Sequence, residues 1–313
     1  MKRGASVARR EARKPRESSQ AGILVCRFDD PDSYPFDEPD FDPDQPEELE
    51  TILAAQRDSF ADLAKSELVK LFEEQPESVF YQRQLQVMFE KRYFHWVTVR
   101  ALSELAREGV LAIEVLPLPK TGTITFYRAS SYRYWKRDAD EVVKLVSRFS
   151  DSSFTSALGA QGETMFDAAL PTVGFLPKGR KVRSYGAAEW TETKHDLDRV
   201  FERDGVAYGA EIKNTLGYIE RVELEIKMKM CKHLGLKPLF IVRMAPKTYV
   251  NDVAEMGGFT LIFKYQLYPF GQKAFADEVR AKLGLPTDCP SRIEDGTVKR
   301  LLDWHLKTLA KSG

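Results

Sequence analysis

The sequence predicts an α/β protein in which helices flank a mixed sheet, preceded by a smaller domain of helices and a β-hairpin. Three observations support this prediction. The run Pro238–Arg243 is apolar up to its last residue, which is typical of a strand buried in a parallel setting. The pair Asp204-Gly205 is a strong turn signal between two strands, because a type I′ turn needs φ > 0 at both central residues. Helical and strand patterns also alternate through the second half of the chain, as they do in α/β folds.

Length and composition describe an ordinary globular chain. Its 313 residues suffice for two domains, and 43% of them are hydrophobic and 30% charged. No apolar run is long enough to span a bilayer, and none follows the basic N-terminus as a signal peptide requires. Three scattered cysteines and four histidines lack the spacing of a disulfide framework or a zinc site. We therefore expect a protein of the reducing cytoplasm.

The net charge of zero hides a strong asymmetry at the N-terminus. Residues 2–16 carry seven basic side chains against Glu11, whereas residues 29–50 carry eleven carboxylates, no basic residue and five prolines. With so little to bury, residues 1–50 are predicted to be a disordered tail. The tail is either simply solvated or it imitates a phosphate backbone and shields a basic DNA groove.

Residues 51–137 carry the pattern of three helices and a hairpin, with Gly109 as a C-cap just beyond the third helix. Lys120-Thr121-Gly122 supplies the turn of the hairpin. The predicted elements are a helix with the stripe Leu63, Leu68, Leu71 and Phe72, helices over 82–89 and 96–107, and strands over 111–116 and 123–127.

The run Thr98–Leu105, followed by Glu108-Gly109, resembles the third helix and the entry to the wing of the winged helix-turn-helix domain. The resemblance implies that the third helix lies in the major groove and that the wing touches phosphate or the minor groove. A winged helix that contacts only protein is the alternative. The residues expected to bind nucleic acid are Lys91, Arg92, Tyr93, His95, Thr98 and Arg100, with Lys120 at the tip of the wing.

The remaining elements complete an α/β domain assigned to residues 155–285. Residues 138–154 are assigned to a connecting helix and linker, and residues 286–313 to a C-terminal helix. A long helix over 219–234 is predicted to bury one stripe, Val222, Ile226, Met230 and Leu234. The other predicted elements are helices over 157–170, 247–256, 274–283 and 297–309 and strands over 238–243 and 259–265.

Charged residues of opposite sign meet on the hairpin around Asp204-Gly205. Side chains alternate between faces along a strand, so Glu211 and Lys213 share one face of the second strand. By the same rule Asp196 and Asp198 share a face of the first strand. Carboxylates from two strands beside an ammonium group are what a magnesium ion and a phosphodiester would use.

Residues 155–270 resemble the PD-(D/E)xK nuclease superfamily, whose core is a helix, a strand hairpin with the catalytic residues, a helix and a strand. The resemblance implies that Asp198, Glu211 and Lys213 are catalytic and that Glu163, on the preceding helix, assists them. It also implies a Mg²⁺ ion, for which Mn²⁺ would substitute, held by Asp198, Glu211, Glu163 and the backbone carbonyl of Ile212.

Two features of the sequence complicate this assignment. No proline precedes Asp198, and Asp196 is a rival metal ligand two residues earlier. A second Glu-x-Lys, Glu225-Ile226-Lys227, is assigned to a helix surface, because the tripeptide alone arises by chance in a chain this rich in charge.

Together these features predict a Mg²⁺-dependent DNA endonuclease whose winged helix binds double-stranded DNA. We expect a restriction or defence nuclease that acts as a homodimer to cut both strands and associates with the nucleoid when bound to DNA. One alternative is a non-catalytic winged-helix regulator or recombination factor with a degenerate nuclease-like domain. A structure-specific repair or junction nuclease is another, and the sequence does not separate it from a restriction enzyme.

Overall fold

The computed structural model describes residues 46–119 and 122–312, with side chains from residue 60 onward. Positions 1–45, which include the basic part and most of the acidic part of the predicted tail, lie outside the described residues. Lys120 lies outside them as well. Helix α1 begins at Pro46, so the last five residues assigned to the tail belong to a helix instead. Within the described residues, no helix combines the length and the hydropathy that crossing a lipid bilayer requires.

The N-terminal domain packs three helices on a three-stranded antiparallel sheet with strand order β1-β3-β2. The predicted order of three helices and a hairpin is correct, and the additional strand β1 pairs with β3. Leu68, Leu85, Leu102 and Leu105 are buried together in the core of this domain. Its elements are α1 (Pro46–Glu74), β1 (Val79–Tyr81), α2 (Gln82–Phe89), α3 (His95–Arg107), β2 (Leu111–Leu118) and β3 (Gly122–Ala129).

Helix α4 (Trp135–Phe149) connects this domain to the rest of the chain. Its Trp135 and Leu145 share one apolar cluster with Phe126 of β3 and with Phe275, which lies near the C-terminus. Asp151 then caps helix α5 (Ser152–Ala169) by accepting a hydrogen bond from the amide of Ser153 at 3.0 Å. A helix is thus present where the connecting helix is predicted, but it starts three residues earlier and is packed on both sides.

A five-stranded mixed sheet with strand order β10-β9-β8-β7-β4 organises the second half of the chain. Strands β4, β7 and β8 are antiparallel neighbours, whereas β8, β9 and β10 run parallel. The fold class predicted from the sequence, α/β with a mixed sheet flanked by helices, is confirmed. The strands are β4 (Leu176–Val182), β7 (Leu197–Arg203), β8 (Val206–Lys213), β9 (Lys237–Val242) and β10 (Phe259–Ile262), and the short pairs are β5 (Ser184–Tyr185) with β6 (Ala188–Glu189) and β11 (Gln266–Leu267) with β12 (Thr287–Asp288).

Helices cover both faces of this sheet. Phe166 of α5 packs with Phe201 and Ile212 on one face, which helix α9 (Asp295–Ser312) also covers. Cys231 of helix α6 (Arg221–His233) packs with Leu197 and Val200 on the other face. Helix α7 (Lys247–Glu255) lies on that second face, and helix α8 (Lys273–Leu283) packs with α4.

The turn between β7 and β8 has the backbone that Asp204-Gly205 predicts, with φ of 50° and 75°. A chain of polar contacts ties this turn to helix α9. The Asp204 carboxylate lies 3.0 Å from Nε2 of the buried His305, whose Nδ1 lies 2.7 Å from the hydroxyl of Tyr208. At mid-strand, Gly209 allows α6 to approach closely, because a Cβ there would lie 2.7 Å from Sγ of Cys231.

Candidate functional site

Asp198 lies near the start of β7, beside the strand that carries Glu211. The paired part of the ladder ends at Arg199 and Ala210, one residue short of Asp198 and Glu211, and the negative charge of Asp198 acts on Glu211. Oδ2 of Asp198 accepts a hydrogen bond from the amide of Ile212 at 2.8 Å. Asp196 precedes β7, and its main-chain carbonyl is contacted by the ammonium of Lys227. Asp198 is therefore the aspartate whose carboxylate lies beside Glu211.

Glu211 is almost fully buried between two lysines. Its Oε1 lies 3.1 Å from Nζ of Lys213, and its Oε2 lies 2.6 Å from Nζ of Lys227. Lys213 also forms an ion pair of 2.8 Å with Glu223 at the start of α6. The predicted pairing of Glu211 with Lys213 is thus present, and a second lysine and a second glutamate extend it.

Burial and like charge shift the pKa values of both carboxyls upward. Burial raises the pKa of Glu211 to about 6, and the negative charge of Asp198 adds to this rise. Burial also raises the pKa of Asp198, outweighing the hydrogen bond from Ile212. For Lys213, burial acts to lower the pKa, but the carboxylates of Glu211 and Glu223 outweigh it and raise the pKa above its ordinary value. The site therefore keeps its lysine charged and makes its carboxylates reluctant to ionise.

The assignment of Glu225-Ile226-Lys227 to a helix surface is wrong for Lys227. Glu225 is exposed, but Lys227 is only 4% exposed and points at Glu211. The predicted buried stripe of this helix is wrong at its first position, since Val222 is 68% exposed. The residues that α6 buries are Leu224, Lys227, Met230 and Cys231. Their spacing of three and four residues marks this face, and the sequence prediction missed it because a lysine lies within it.

Glu163 lies on α5, and its partner is an arginine. Its carboxylate forms an ion pair of 2.8 Å with Arg199, a nearly fully buried side chain that also holds Asp167 at 2.8 Å. The charge of Glu163 still contributes to the raised pKa of Asp198. The structure therefore brings Glu163 within electrostatic range of Asp198 but engages its carboxylate with Arg199.

Asn214 fixes the end of β8 directly after Lys213. Its side-chain amide donates to the carbonyls of Leu158 and Leu267, at 2.7 and 2.6 Å, and its oxygen accepts from the amide of Leu267 at 2.7 Å. All of its side-chain hydrogen-bonding groups are engaged with backbone. Asn214 is therefore a structural anchor that sets where β8 ends.

The donor set suits a divalent cation in part. Asp198 and Glu211 supply hard oxygen atoms, and the negative charge of Asp198, which raises the pKa of Glu211, is the kind of repulsion that a bound dication relieves. Among the residues that the structure describes, no three or more His, Cys, Asp or Glu side chains are grouped so that they could hold a metal ion. Binding of Mg²⁺ by Asp198 and Glu211 stays a prediction, and so does ligation by Glu163 and by the carbonyl of Ile212.

Comparisons with known proteins add no relative. The chain matches no protein-family model, no curated protein and no solved structure.

Three of the residues expected to bind nucleic acid are buried, which makes that part of the prediction wrong. Thr98 is fully buried, and the hydroxyl of the buried Tyr93 donates to Glu67 at 2.9 Å. His95 is buried between Arg83, 3.1 Å from its Nδ1, and Glu90, 3.3 Å from its Nε2. Burial lowers the pKa of His95. The start of α3 therefore does not present these side chains to a ligand.

The remaining predicted contacts are on the surface of the N-terminal domain. Lys91 and Arg92 are exposed in the loop after α2, and Arg100 is exposed on α3. Arg92 forms an ion pair with Glu67 at 2.5 Å, and Arg100 one with Glu104 at 2.9 Å. A contact of these three residues with DNA stays a prediction.

Proposed function

We propose that the chain is a divalent-metal-dependent nuclease that hydrolyses phosphodiester bonds in DNA. The observation that carries the proposal is the pair of neighbouring carboxylates, Asp198 and Glu211, with Nζ of Lys213 at 3.1 Å from Glu211. The order of elements around them supports the resemblance to the PD-(D/E)xK superfamily, since helix α5 precedes the hairpin and α6 and β9 follow it. Three helices followed by a hairpin likewise support a winged helix that binds double-stranded DNA.

Each side chain has a role that follows from its position. Asp198 and Glu211 would hold Mg²⁺ or Mn²⁺. When bound, such an ion makes a water molecule more acidic and neutralises charge on the phosphate. Lys213, kept charged by Glu211 and Glu223, offers a positive charge to the phosphate as negative charge grows there. Lys227 neutralises Glu211 from the buried side, which favours the ionised form that metal binding needs.

One observation favours a second candidate, a DNA-binding protein without catalytic activity. Both carboxylate oxygens of Glu211 lie within ion-pair distance of a lysine, so two ammonium groups already occupy the side of Glu211 that a cation would need. A regulator or recombination factor with this arrangement would bind DNA and never cut it. Restriction, defence, repair and junction nucleases, each as a monomer or a homodimer, remain alternatives within the enzyme class.

The decisive experiment incubates the full chain with supercoiled, linear, branched and single-stranded DNA in Mg²⁺ or Mn²⁺. Asp198→Asn, Glu211→Gln and Lys213→Met are each expected to abolish cleavage while DNA binding is retained. Glu225→Gln, which changes an exposed carboxylate on the same helix as Lys227, serves as the control and should cut normally. Cleavage that persists in the first three variants would refute the site, and a wild-type chain that binds but never cuts would favour the second candidate.

A further inference from the structure

Strand β4 presents a row of basic side chains at the edge of the sheet. It is the last strand in the order β10-β9-β8-β7-β4, so β7 is its only partner strand among the described residues. No acidic residue lies between positions 176 and 188. The exposed basic residues on and just after the strand are Lys178, Arg180, Lys181 and Arg183.

This row lies directly beside the candidate catalytic strand. Arg180 pairs with Arg199 and Val182 with Leu197, so the part of β4 that carries Lys181 runs alongside the part of β7 that carries Asp198. Neighbouring strands of a sheet lie about 5 Å apart. A polyanion that follows β4 would therefore pass close to the strand that carries Asp198.

The backbone of Lys181 has an unusual conformation for a lysine. Its φ is 48°, a left-handed conformation that residues with a Cβ adopt rarely and that glycine adopts readily. Within the described part of the chain, the side chain of Lys181 has no hydrogen-bond or ion-pair partner. Charged residues on edge strands also discourage unwanted strand pairing, but that role needs only a charge and not a strained lysine.

The other basic residues of the row each have a partner within the chain. Arg180 pairs with Asp167, and Lys178 lies 3.4 Å from Glu202, both as exposed cations. Ion pairs made by exposed cations contribute little to stability. Arg183 donates to the carbonyls of Trp190 and Thr193, at 3.2 and 2.9 Å, and this fixes the position of its charge beyond the end of β4.

We propose that β4 is the track along which the sugar–phosphate backbone of DNA reaches the Asp198–Glu211 site, with Lys181 on the phosphate nearest the one that is cut. This inference rests on the proposed nuclease function and names the surface that brings substrate to it. Phosphate contacts from lysine and arginine supply affinity and register without reading sequence. The track therefore binds double-stranded DNA of any sequence and is independent of the N-terminal domain's own contacts.

The test measures binding of a fluorescent DNA duplex to the full chain in EDTA, so that no cleavage occurs, over a series of salt concentrations. Lys181→Gln is expected to weaken binding and to reduce the slope of log affinity against log salt concentration by about 1. The double variant that combines Lys178→Gln with Lys181→Gln is expected to reduce this slope by about 2. Lys229→Gln, an exposed lysine on α6, is the matched control and should leave both quantities unchanged.

A further variant separates backbone strain from DNA contact. Lys181→Gly removes the strained conformation together with the charge, so it should unfold at a higher temperature than the wild type and still bind DNA more weakly. Unchanged affinity and slope in all Lys181 variants, or a wild-type chain that does not bind DNA, would overturn the track. If the Lys181 variants bind DNA more weakly but the wild type does not cleave DNA in Mg²⁺, the proposed function is refuted and the track is not. If the wild type cleaves DNA and the variants bind it normally, the track is refuted and the proposed function is not.

Discussion

Arg243 binds Glu90 through two parallel hydrogen bonds, of 2.6 Å from Nη1 and 2.7 Å from Nη2, although 153 positions separate the two residues in the chain. Both side chains are buried. The same guanidinium donates to the carbonyls of Thr215 and Leu216, at 3.1 and 2.8 Å. Arg243 thus joins the N-terminal domain to the loop that leaves Lys213.

Two further contacts hold the loop that follows Lys213 in place. The ring of Tyr218 lies 5.6 Å from that of His95, and Asn214 anchors the start of the loop. Burial acts to raise the pKa of Glu90, but the hydrogen bonds from Arg243 outweigh it and lower that pKa. The N-terminal domain therefore packs against the segment that positions Lys213 and Glu223.

Replacing Arg243 by methionine is expected to be strongly destabilising. It leaves Glu90 buried without its partner, and breaking a buried ion pair in this way costs about 3–5 kcal/mol. Urea unfolding measures the loss. Arg221→Met removes an exposed arginine that pairs with Glu225 and Asp252 and should cost less than about 1 kcal/mol. Equal losses in the two variants would contradict a buried, stabilising role for Arg243.

The raised pKa of Glu211 predicts how stability depends on pH in the metal-free chain. A carboxyl whose pKa is raised on folding binds its proton more tightly in the folded state, so its contribution is complete below about pH 4.5 and is lost as pH rises through about 6. The difference corresponds to about 2 kcal/mol.

Unfolding free energies in EDTA between pH 4.5 and 7 measure this effect. The wild type should lose stability relative to Glu211→Gln across that window, whereas Glu225→Gln should run parallel to the wild type. Nuclease activity should depend on pH in the opposite direction. Metal binding needs the ionised form of Glu211, so activity should appear as pH rises through the same window. A wild-type curve parallel to that of Glu211→Gln would show that Glu211 titrates normally.

Lys227 gives a prediction that separates it from the other lysines of α6. Its positive charge lowers the pKa of Glu211, so Lys227→Met should move the titration of Glu211 to higher pH. It should also cost about 3–5 kcal/mol, since Glu211 loses a buried partner. Lys229→Met, on the exposed face of the same helix, should change neither quantity. Measuring the free energy of unfolding of both variants as a function of pH tests both expectations.

Two glycines of helix α5 should respond oppositely to alanine. A Cβ at Gly162 would lie 2.8 Å from Cβ of Asn214, so Gly162→Ala has to displace the anchor of β8 and should destabilise the fold and reduce activity. No atom lies within 4 Å of a Cβ at Gly159, and Gly159→Ala should stabilise the fold by about 0.5–1 kcal/mol through helix propensity. Thermal unfolding distinguishes them, and stabilisation by both would mean that the approach of α5 to Asn214 is not tight.

The sequence predicts those parts of the fold whose signals are local. The turn at Asp204-Gly205 follows from backbone chemistry, and β9 from an uninterrupted apolar run. Alternation along two strands predicts that Glu211 and Lys213 share a face, but it does not choose between Asp196 and Asp198. Strand β4 is not predictable in this way, because its side chains are exposed along most of its length and Gly179 lies next to a bulge.

What the sequence does not reveal depends on partners far away in the chain. His95 and Thr98 are polar, which favours a surface position, yet His95 is buried with Glu90 and Arg83 at the contact with Tyr218. Lys227 is buried because Glu211, on a different element, supplies its counter-charge. Polarity alone predicts exposure only when no such partner exists elsewhere.

The close packing of α6 on β8 at Gly209 buries Cys231, so the reactivity of this thiol reports on whether the two elements stay in contact. Cys231 Sγ lies 3.6 Å from the carbonyl of Gly209, and burial raises the pKa of its thiol to about 12. A thiol-reactive reagent can modify Cys231 only when α6 moves away from the strand that carries Glu211 and Lys213. The modification rate of the Cys231 peptide, followed by mass spectrometry, therefore times the opening of this site in the native protein, without any substitution.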